Sequence, residues 1–334
     1  MEKLKVGIIG LGWVAQVFHL PSLKKINDVE VTALCDKDKS KLKSVGEKFG
    51  VQRLYTSFEE MLASEKLNAV TICTPTDTHR SIAVAALNSG LDVFVERPIA
   101  RQYSEAVEIA ETVNRTKQKL MVGMNNRFRP DLMMLKSIIE NGELGEIFYL
   151  KAAWVKKLGS NNPWLTQKEK SGGGVFLDLG LGALDTLLWA VNFNPVKRVS
   201  AVTYNHTTKS VEDSCIAFLE TKNGTTLNLE TSWSFHVSGD SFSCEIFGTK
   251  GAAQLNPLRI NKMISGEVVS VTPVKSETPQ NILKRSYEIE LKHFIGAAKG
   301  LHPVISTADE AVQRMKVVEA VYKSAKLKKE IVLK

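Results

Sequence analysis

The sequence predicts a two-domain α/β protein: an N-terminal domain on a doubly wound parallel sheet, then a C-terminal α/β domain on a mainly antiparallel sheet. Three observations predict it. Strand-like and helix-like runs alternate from Lys5 to Val122, the pattern of parallel strands joined by crossover helices. The first strand runs straight into Gly10-Leu11-Gly12-Trp13-Val14-Ala15, a turn shaped for a phosphate. Beyond residue 123 the rhythm changes to successive strand-like runs, with Asn223-Gly224 marking a hairpin. A chain of 334 residues suits two domains, placed here at 1–122 and 123–334.

Lys5 to Ile9 is a short apolar run of the kind buried on both faces. In the G-x-G-x-x-A motif, Gly10 permits the tight turn and Gly12 lets the backbone approach a pyrophosphate. Ala15 keeps the next helix close to the strand, and Trp13 and Val14 lead into a helix start whose free N–H groups favour anions. The second strand, Val29 to Cys35, ends at Asp36, where a carboxylate accepts ribose hydroxyls and repels a 2′-phosphate. NAD is therefore expected over NADP, although Lys37 beside it is a cation that tolerates a phosphate.

Ser57-Phe58-Glu59-Glu60 reads as a capping box. Asn68 to Cys73 is a strand, Ser81 to Leu87 a helix closed by Gly90, Leu91 to Val95 a strand, Ser104 to Val113 a helix and Lys119 to Val122 a strand. Ligands of such sheets sit at the carboxyl ends of the strands. Thr74, Thr76, His79, Glu96 and Arg97 are therefore expected beside the glycine loop, with His79 either contacting the cofactor or satisfying loop backbone groups.

In the second domain, Asp131 to Glu140 and Val175 to Val191 read as helices. Ile147 to Val155, Val199 to Tyr204, Cys215 to Leu219, Thr225 to Leu229 and Phe242 to Phe247 read as strands, the last four as an antiparallel meander. Ala308 to Lys323 is the last helix, and Leu327-Lys328-Lys329 is expected in a solvated tail. One face of such a sheet needs cover, which predicts a homo-oligomer, a dimer or tetramer.

At 43% hydrophobic residues the chain can bury a core, which excludes global disorder. No apolar run is expected to reach the roughly 18 residues of a membrane span. A strand-like run starts directly after Met1, leaving no room for a signal peptide, so a cytoplasmic protein with no membrane partner is expected. The four cysteines form no CxxC pair, which argues against disulfides and against a metal site. The net charge of +8 comes from lysines spread among acids. It predicts no nucleic-acid partner, although it can help attract an anionic cofactor or substrate.

Taken together and in order, the glycine loop, Thr74-Pro75-Thr76-Asp77-Thr78-His79, Glu96-Arg97-Pro98, Gly123-Met124-Asn125-Asn126-Arg127-Phe128, Gly172 to Asp185 and Phe247-Gly248-Thr249-Lys250-Gly251 carry a resemblance. The chain resembles the Gfo/Idh/MocA oxidoreductase family over nearly its whole length. The resemblance implies a Rossmann domain followed by an α/β domain with an open sheet. It also implies nicotinamide-dependent chemistry on a sugar, cyclitol or related polyol, with Glu96, Arg97 and Asn125 on the cofactor side.

Two residues depart from that family's pattern. Its Glu-Lys-Pro is Glu96-Arg97-Pro98 here, and its Asp-x-Gly-x-His is Asp178-Leu179-Gly180-Leu181-Gly182. The Lys and His of that pattern typically move the hydroxyl proton. A guanidinium stays protonated, so Arg97 can polarise a carbonyl or stabilise an alkoxide but is a poor acid or base. Gly182 offers no side chain and is expected to enlarge the pocket. Asp178 is the first candidate to carry the proton, followed by Lys156 and His236. The same losses admit a catalytically weak cofactor- or sugar-binding regulatory protein, and a third reading is a lyase or hydrolase with tightly held NAD.

Overall fold

Six strands, β1 (Leu4–Ile9), β2 (Val29–Cys35), β3 (Arg53–Tyr55), β4 (Ala69–Ile72), β5 (Asp92–Val95) and β6 (Leu120–Val122), form one parallel sheet in the order β3-β2-β1-β4-β5-β6. This arrangement comes from a computed structural model that describes residues 3–159, 163–237, 239–273 and 278–333. Val6, Ile8, Val70, Ile72, Val93, Phe94 and Val95 are wholly buried, as expected when helices cover both faces of a parallel sheet. Ser57 caps the helix Phe58–Ser64 by accepting the Glu60 N–H at 3.2 Å.

The chain divides into two units. The first runs to Asn125, close to the expected cut, but it also takes in Leu283–Val312. That corrects the expectation of one continuous second domain over 123–334. The cause is the apolar face of the helix Pro279–Ala298. Phe294 meets Phe94 edge-on at 5.5 Å, Tyr287 stacks on Phe18 at 4.1 Å, and Lys119 Nζ donates to the Ala297 carbonyl at 2.6 Å.

The second unit carries β7 (Ile147–Val155), β8 (Val196–Tyr204), β9 (Ser214–Thr221), β10 (Thr226–Ser232), β11 (Ser241–Gly248), β12 (Gly251–Leu255), β13 (Arg259–Ile264), β14 (Glu267–Ser270) and β15 (Ile331–Val332). They form one sheet in the order β14-β13-β12-β11-β7-β10-β9-β8-β15. It is mainly antiparallel, as expected, but β7 and β10 pair in parallel, so the meander is interrupted. The Asn223-Gly224 turn joins β9 to β10, with Gly224 at φ +90°. Leu327, Lys328 and Lys329 are exposed, as expected, and the segment after them returns as β15 to pair with β8.

A helix covers one face of this sheet, packing on β7, β9 and β10. It includes a π-helical turn, Phe176–Gly180, before Leu181–Ala190. The stretch Lys168–Ala190 is apolar and long enough to cross a membrane, yet 89% of its most apolar window is buried inside the fold. Its apolarity is that of a core helix. Asp185 lies on it, wholly buried, and accepts Arg127 Nε at 2.8 Å, Arg127 Nη2 at 2.6 Å and Arg314 Nη1 at 2.7 Å.

Candidate cofactor and substrate sites

The glycine loop follows β1 at the carboxyl end of the sheet. Gly10 has φ +90°, and a Cβ there would stand 2.7 Å from the backbone of Cys73 and Thr74, so only glycine fits. At Gly12 the nearest atom to such a Cβ is the Cys73 carbonyl oxygen at 4.0 Å. The backbone there faces open space, which a pyrophosphate can approach. The helix begins at Trp13, directly after Gly12, which has no side chain to cap it, leaving its positive end for an anion. Trp13 is 62% exposed, Val14 is half-buried and Ala15 is buried.

Asp36 ends β2 at the edge of this loop. Its Oδ2 accepts the Leu11 N–H at 2.8 Å and its Oδ1 accepts the Asp38 N–H at 2.9 Å. The sequence locates this carboxylate but not its partners. The nearest cation is Lys41, 3.4 Å away, rather than the exposed Lys37. These residues fit a dinucleotide: an open glycine turn, an uncapped helix start and a fixed carboxylate.

Thr74 lies against Gly10 and accepts a hydrogen bond from the Thr78 hydroxyl at 2.7 Å, while Thr76 is buried. His79 is a correction to the cofactor-contact reading. Its ring nitrogens lie 2.8 Å from the Pro98 and Thr74 carbonyl oxygens, so it clamps the loops after β4 and β5 together. Burial lowers its pKa against the pull of those carbonyls. Asn125 is buried, and its amide donates to Ser286 Oγ at 3.1 Å.

Glu96 and Arg97 follow β5, half-buried, with a cis bond between Arg97 and Pro98. Glu96 has a partner the sequence did not reveal. His19, wholly buried, brings Nε2 to 2.8 Å from Glu96 Oε1, and its Nδ1 lies 3.5 Å from Cys73 Sγ. The π-helical turn Ala15–His19 carries it there. Its only sequence signal was one polar residue among Ala15, Phe18 and Leu20 on a buried helix face. Glu290, also wholly buried, has no hydrogen-bond partner for either carboxyl oxygen that meets distance and angle. The Met124 backbone acts on it in the opposite direction to burial.

Burial opposes charge on His19, but Cys73 and Glu96 outweigh it and push its pKa up to about 10. Burial and the nearby Glu96 raise Glu290 well above the carboxylic range. In both cases the folded state holds a proton that the unfolded chain releases sooner, so stability falls as pH rises. The His19 contribution is fully present below the ordinary value of 6.5 and is lost as pH climbs through about 10. Thermal unfolding across that window should show the decline in the wild type and a flatter profile in His19→Gln. Equal slopes would contradict the assignment.

The second unit gathers a different set of groups. Asp178, half-buried on the π-helical turn, accepts the Trp233 indole N–H at 3.1 Å through Oδ2. Trp233 is in turn fixed by its own N–H, which donates to the Asp213 carbonyl at 2.8 Å. Asp213 also accepts the Ser234 hydroxyl at 3.0 Å. Lys156 does not join them: it is exposed, with Nζ 3.7 Å from Asp240. His236 is exposed in the loop after β10.

Gly182 does not enlarge the pocket. A Cβ there would lie 2.8 Å from Trp154 Cζ3, so the indole already fills the room beside this helix. Among the described residues, no cluster of three or more His, Cys, Asp or Glu is placed to hold a metal. The cysteines are free thiols, and burial pushes Cys35 and Cys244 up to about 12.

A 3-2-1-4-5-6 parallel sheet, a glycine turn at its carboxyl rim and an acidic end to β2 define a dinucleotide-binding protein of the Rossmann class. Residues 4–124 match the oxidoreductase family with an NAD-binding Rossmann fold, and residues 132–254 match the Gfo/Idh/MocA C-terminal domain. The chain belongs to the Gfo/Idh/MocA family. It is 30% identical over 97% of its length, and 96% of the relative's, to D-glucoside 3-dehydrogenase of Escherichia coli K12. It is 24% identical over 99% of its length, and 98% of the relative's, to myo-inositol 2-dehydrogenase of Thermotoga maritima. Among solved structures, levoglucosan dehydrogenase in complex with NADH and L-sorbose shares the fold, with a TM-score of 0.89 at 19% identity and full coverage of both chains.

Proposed function

We propose that this protein is an NAD-dependent oxidoreductase acting on a sugar, cyclitol or related polyol. The observation that carries the reading is Asp36, held at the rim of an intact glycine loop by the Leu11 N–H at 2.8 Å. Gly10, Gly12, Trp13, Val14 and Asp36 would hold the dinucleotide, with Thr74 and Thr76 beside them. When bound, the nicotinamide supplies the hydride acceptor or donor. Arg97 contributes fixed positive charge that stabilises an alkoxide or polarises a carbonyl. Asp178, oriented by Trp233, takes up or returns the hydroxyl proton.

An Asp178→Asn variant should lose about 100- to 10,000-fold in kcat while binding NAD as tightly as the wild type. Steady-state kinetics and NADH fluorescence titration test this together. Unchanged kcat would remove Asp178 from the proton path. The reading of a catalytically weak cofactor- or sugar-binding regulatory protein is favoured by Arg97 and Gly182 together, because neither can pass a proton. NAD binding without turnover of any polyol would select it.

The second unit's sheet supports a homo-oligomer. On the face away from the covering helix, Val202 pairs with Ile216 across β8 and β9, Phe218 pairs with Ser200, and Tyr149 stacks on Phe247 at 5.5 Å. Val202 and Phe218 are each 48% exposed, and an apolar sheet face of this kind suits a second copy of the chain. Phe218→Glu should shift the protein toward monomer in light scattering. A wild-type monomer would contradict the reading.

A further inference from the structure

Position 182 and Trp154 compete for the same space. Gly182 is buried on the helix Leu181–Ala190, and its absent Cβ would stand 2.8 Å from Trp154 Cζ3. Real Cβ atoms essentially never approach that closely, so any side chain at 182 must push the ring away. The ring also packs against Phe242, with centroids 5.1 Å apart and the planes tilted by 57°.

Trp154 lies near the end of β7, opposite Thr231 of β10, and Trp233 follows two residues later, just past the end of β10. The two indoles thus come from the same end of neighbouring parallel strands and serve the same helix. One fills the space over Gly182 and the other donates to Asp178, roughly one helical turn earlier. Trp154 remains half-exposed. An aromatic ring beside a carboxylate suits a ring polyol: the C–H face packs on the indole and the hydroxyls bond the acid.

We propose that Trp154 and Gly182 form an interlocked pair, in which the indole replaces a helix side chain and serves as the specificity-determining platform for the C–H face of a ring-closed polyol held at Asp178. The platform half rests on the polyol oxidoreductase reading; the interlock half does not. An open-chain polyol lacks a rigid C–H face and gains little from such a platform. A platform acts in ground-state binding, so its loss appears in KM more than in kcat.

The experiment uses the full chain with four variants: Gly182→Ala, Trp154→Ala, their double, and Trp154→Phe. Thermal unfolding tests the interlock without any substrate. Gly182→Ala should lower the midpoint in the wild type and have little effect in the Trp154→Ala background, a non-additivity expected of touching residues. Additive effects would overturn the interlock. Methyl glucoside and sorbitol, each with NAD, test the platform. Trp154→Ala should raise KM for methyl glucoside on the order of 10-fold, about 1.4 kcal/mol of binding. It should change KM for sorbitol far less, and Trp154→Phe should recover most of the loss. Equal changes for both polyols, or no use of methyl glucoside by the wild type, would overturn the platform. Failure of the wild type to bind NAD at all would instead sink the oxidoreductase reading and leave the unfolding result standing.

Discussion

An Asp185→Ala variant is expected to lose about 3–5 kcal/mol of stability, the cost of leaving buried charge without its counter-ion. Asp185 is wholly buried between Arg127 and Arg314, which are themselves at most 2% exposed. One carboxylate serves two guanidiniums, and both also lie against ring faces. Arg127 lies 4.9 Å from the Phe193 centroid and 5.9 Å from that of Trp189, and Arg314 lies 5.7 Å from Phe193. Removing the acid takes from both buried cations the carboxylate they share. Burial opposes charge on Asp185, but the two arginines hold its pKa below the ordinary 3.8. This stabilisation is therefore present above that pH and is lost only as pH falls through the lower folded value. Denaturant unfolding at neutral pH should show a much reduced midpoint for Asp185→Ala. A loss of less than about 1 kcal/mol, the ordinary scale for a surface pair, would contradict the account.

Gly10→Ala should damage both folding and cofactor binding. At φ +90°, with backbone atoms 2.7 Å from the added methyl, the loop must either hold strain of about 1–3 kcal/mol or move off the Cys73–Thr74 backbone. Movement misplaces the turn and weakens NAD binding about 10- to 100-fold, taking 1.4 kcal/mol as tenfold. Gly12→Ala provides the contrast, since a methyl there meets nothing closer than 4.0 Å. It should fold with nearly wild-type stability and lose affinity only by crowding the phosphate path. Calorimetric titration with NAD beside thermal unfolding separates the two variants. Equal stability losses in both would contradict the different roles assigned to these glycines.

The first unit was legible because its signals are local. Continuous apolar strands, a glycine turn, the capping serine at 57 and the acid after β2 each lie within a few residues of what they specify. What stayed hidden depends on residues distant in sequence. From Leu283 onward the helix Pro279–Ala298 belongs to the first unit because of Tyr287 and Phe294, whose partners, Phe18 and Phe94, lie over 190 positions earlier. His19 carried no motif, and its meaning comes from Glu96, 77 positions away. Arg127 and Asp185 were both visible within motifs, but their pairing, and the third member Arg314, came only with the fold.

The candidate substrate groups show the same division. Asp178 was named from its motif, while Trp233, which orients it, was not. Lys156 ends a strand as expected, yet its ammonium faces Asp240 rather than Asp178. Gly182 read as missing bulk, whereas the structure fills that bulk from β7. Adding a histidine at 182 alone would therefore collide with Trp154 rather than restore a proton carrier.

The central claim is that this chain oxidises or reduces a polyol with NAD through Asp178. Its most direct test follows reduced nicotinamide during incubation of the wild type and Asp178→Asn with NAD and a series of ring polyols. The account predicts turnover of at least one polyol by the wild type and its loss by about 100-fold or more in the variant, with NAD affinity equal in both. NAD binding with no reduction by any of them, or turnover undiminished in Asp178→Asn, would contradict it.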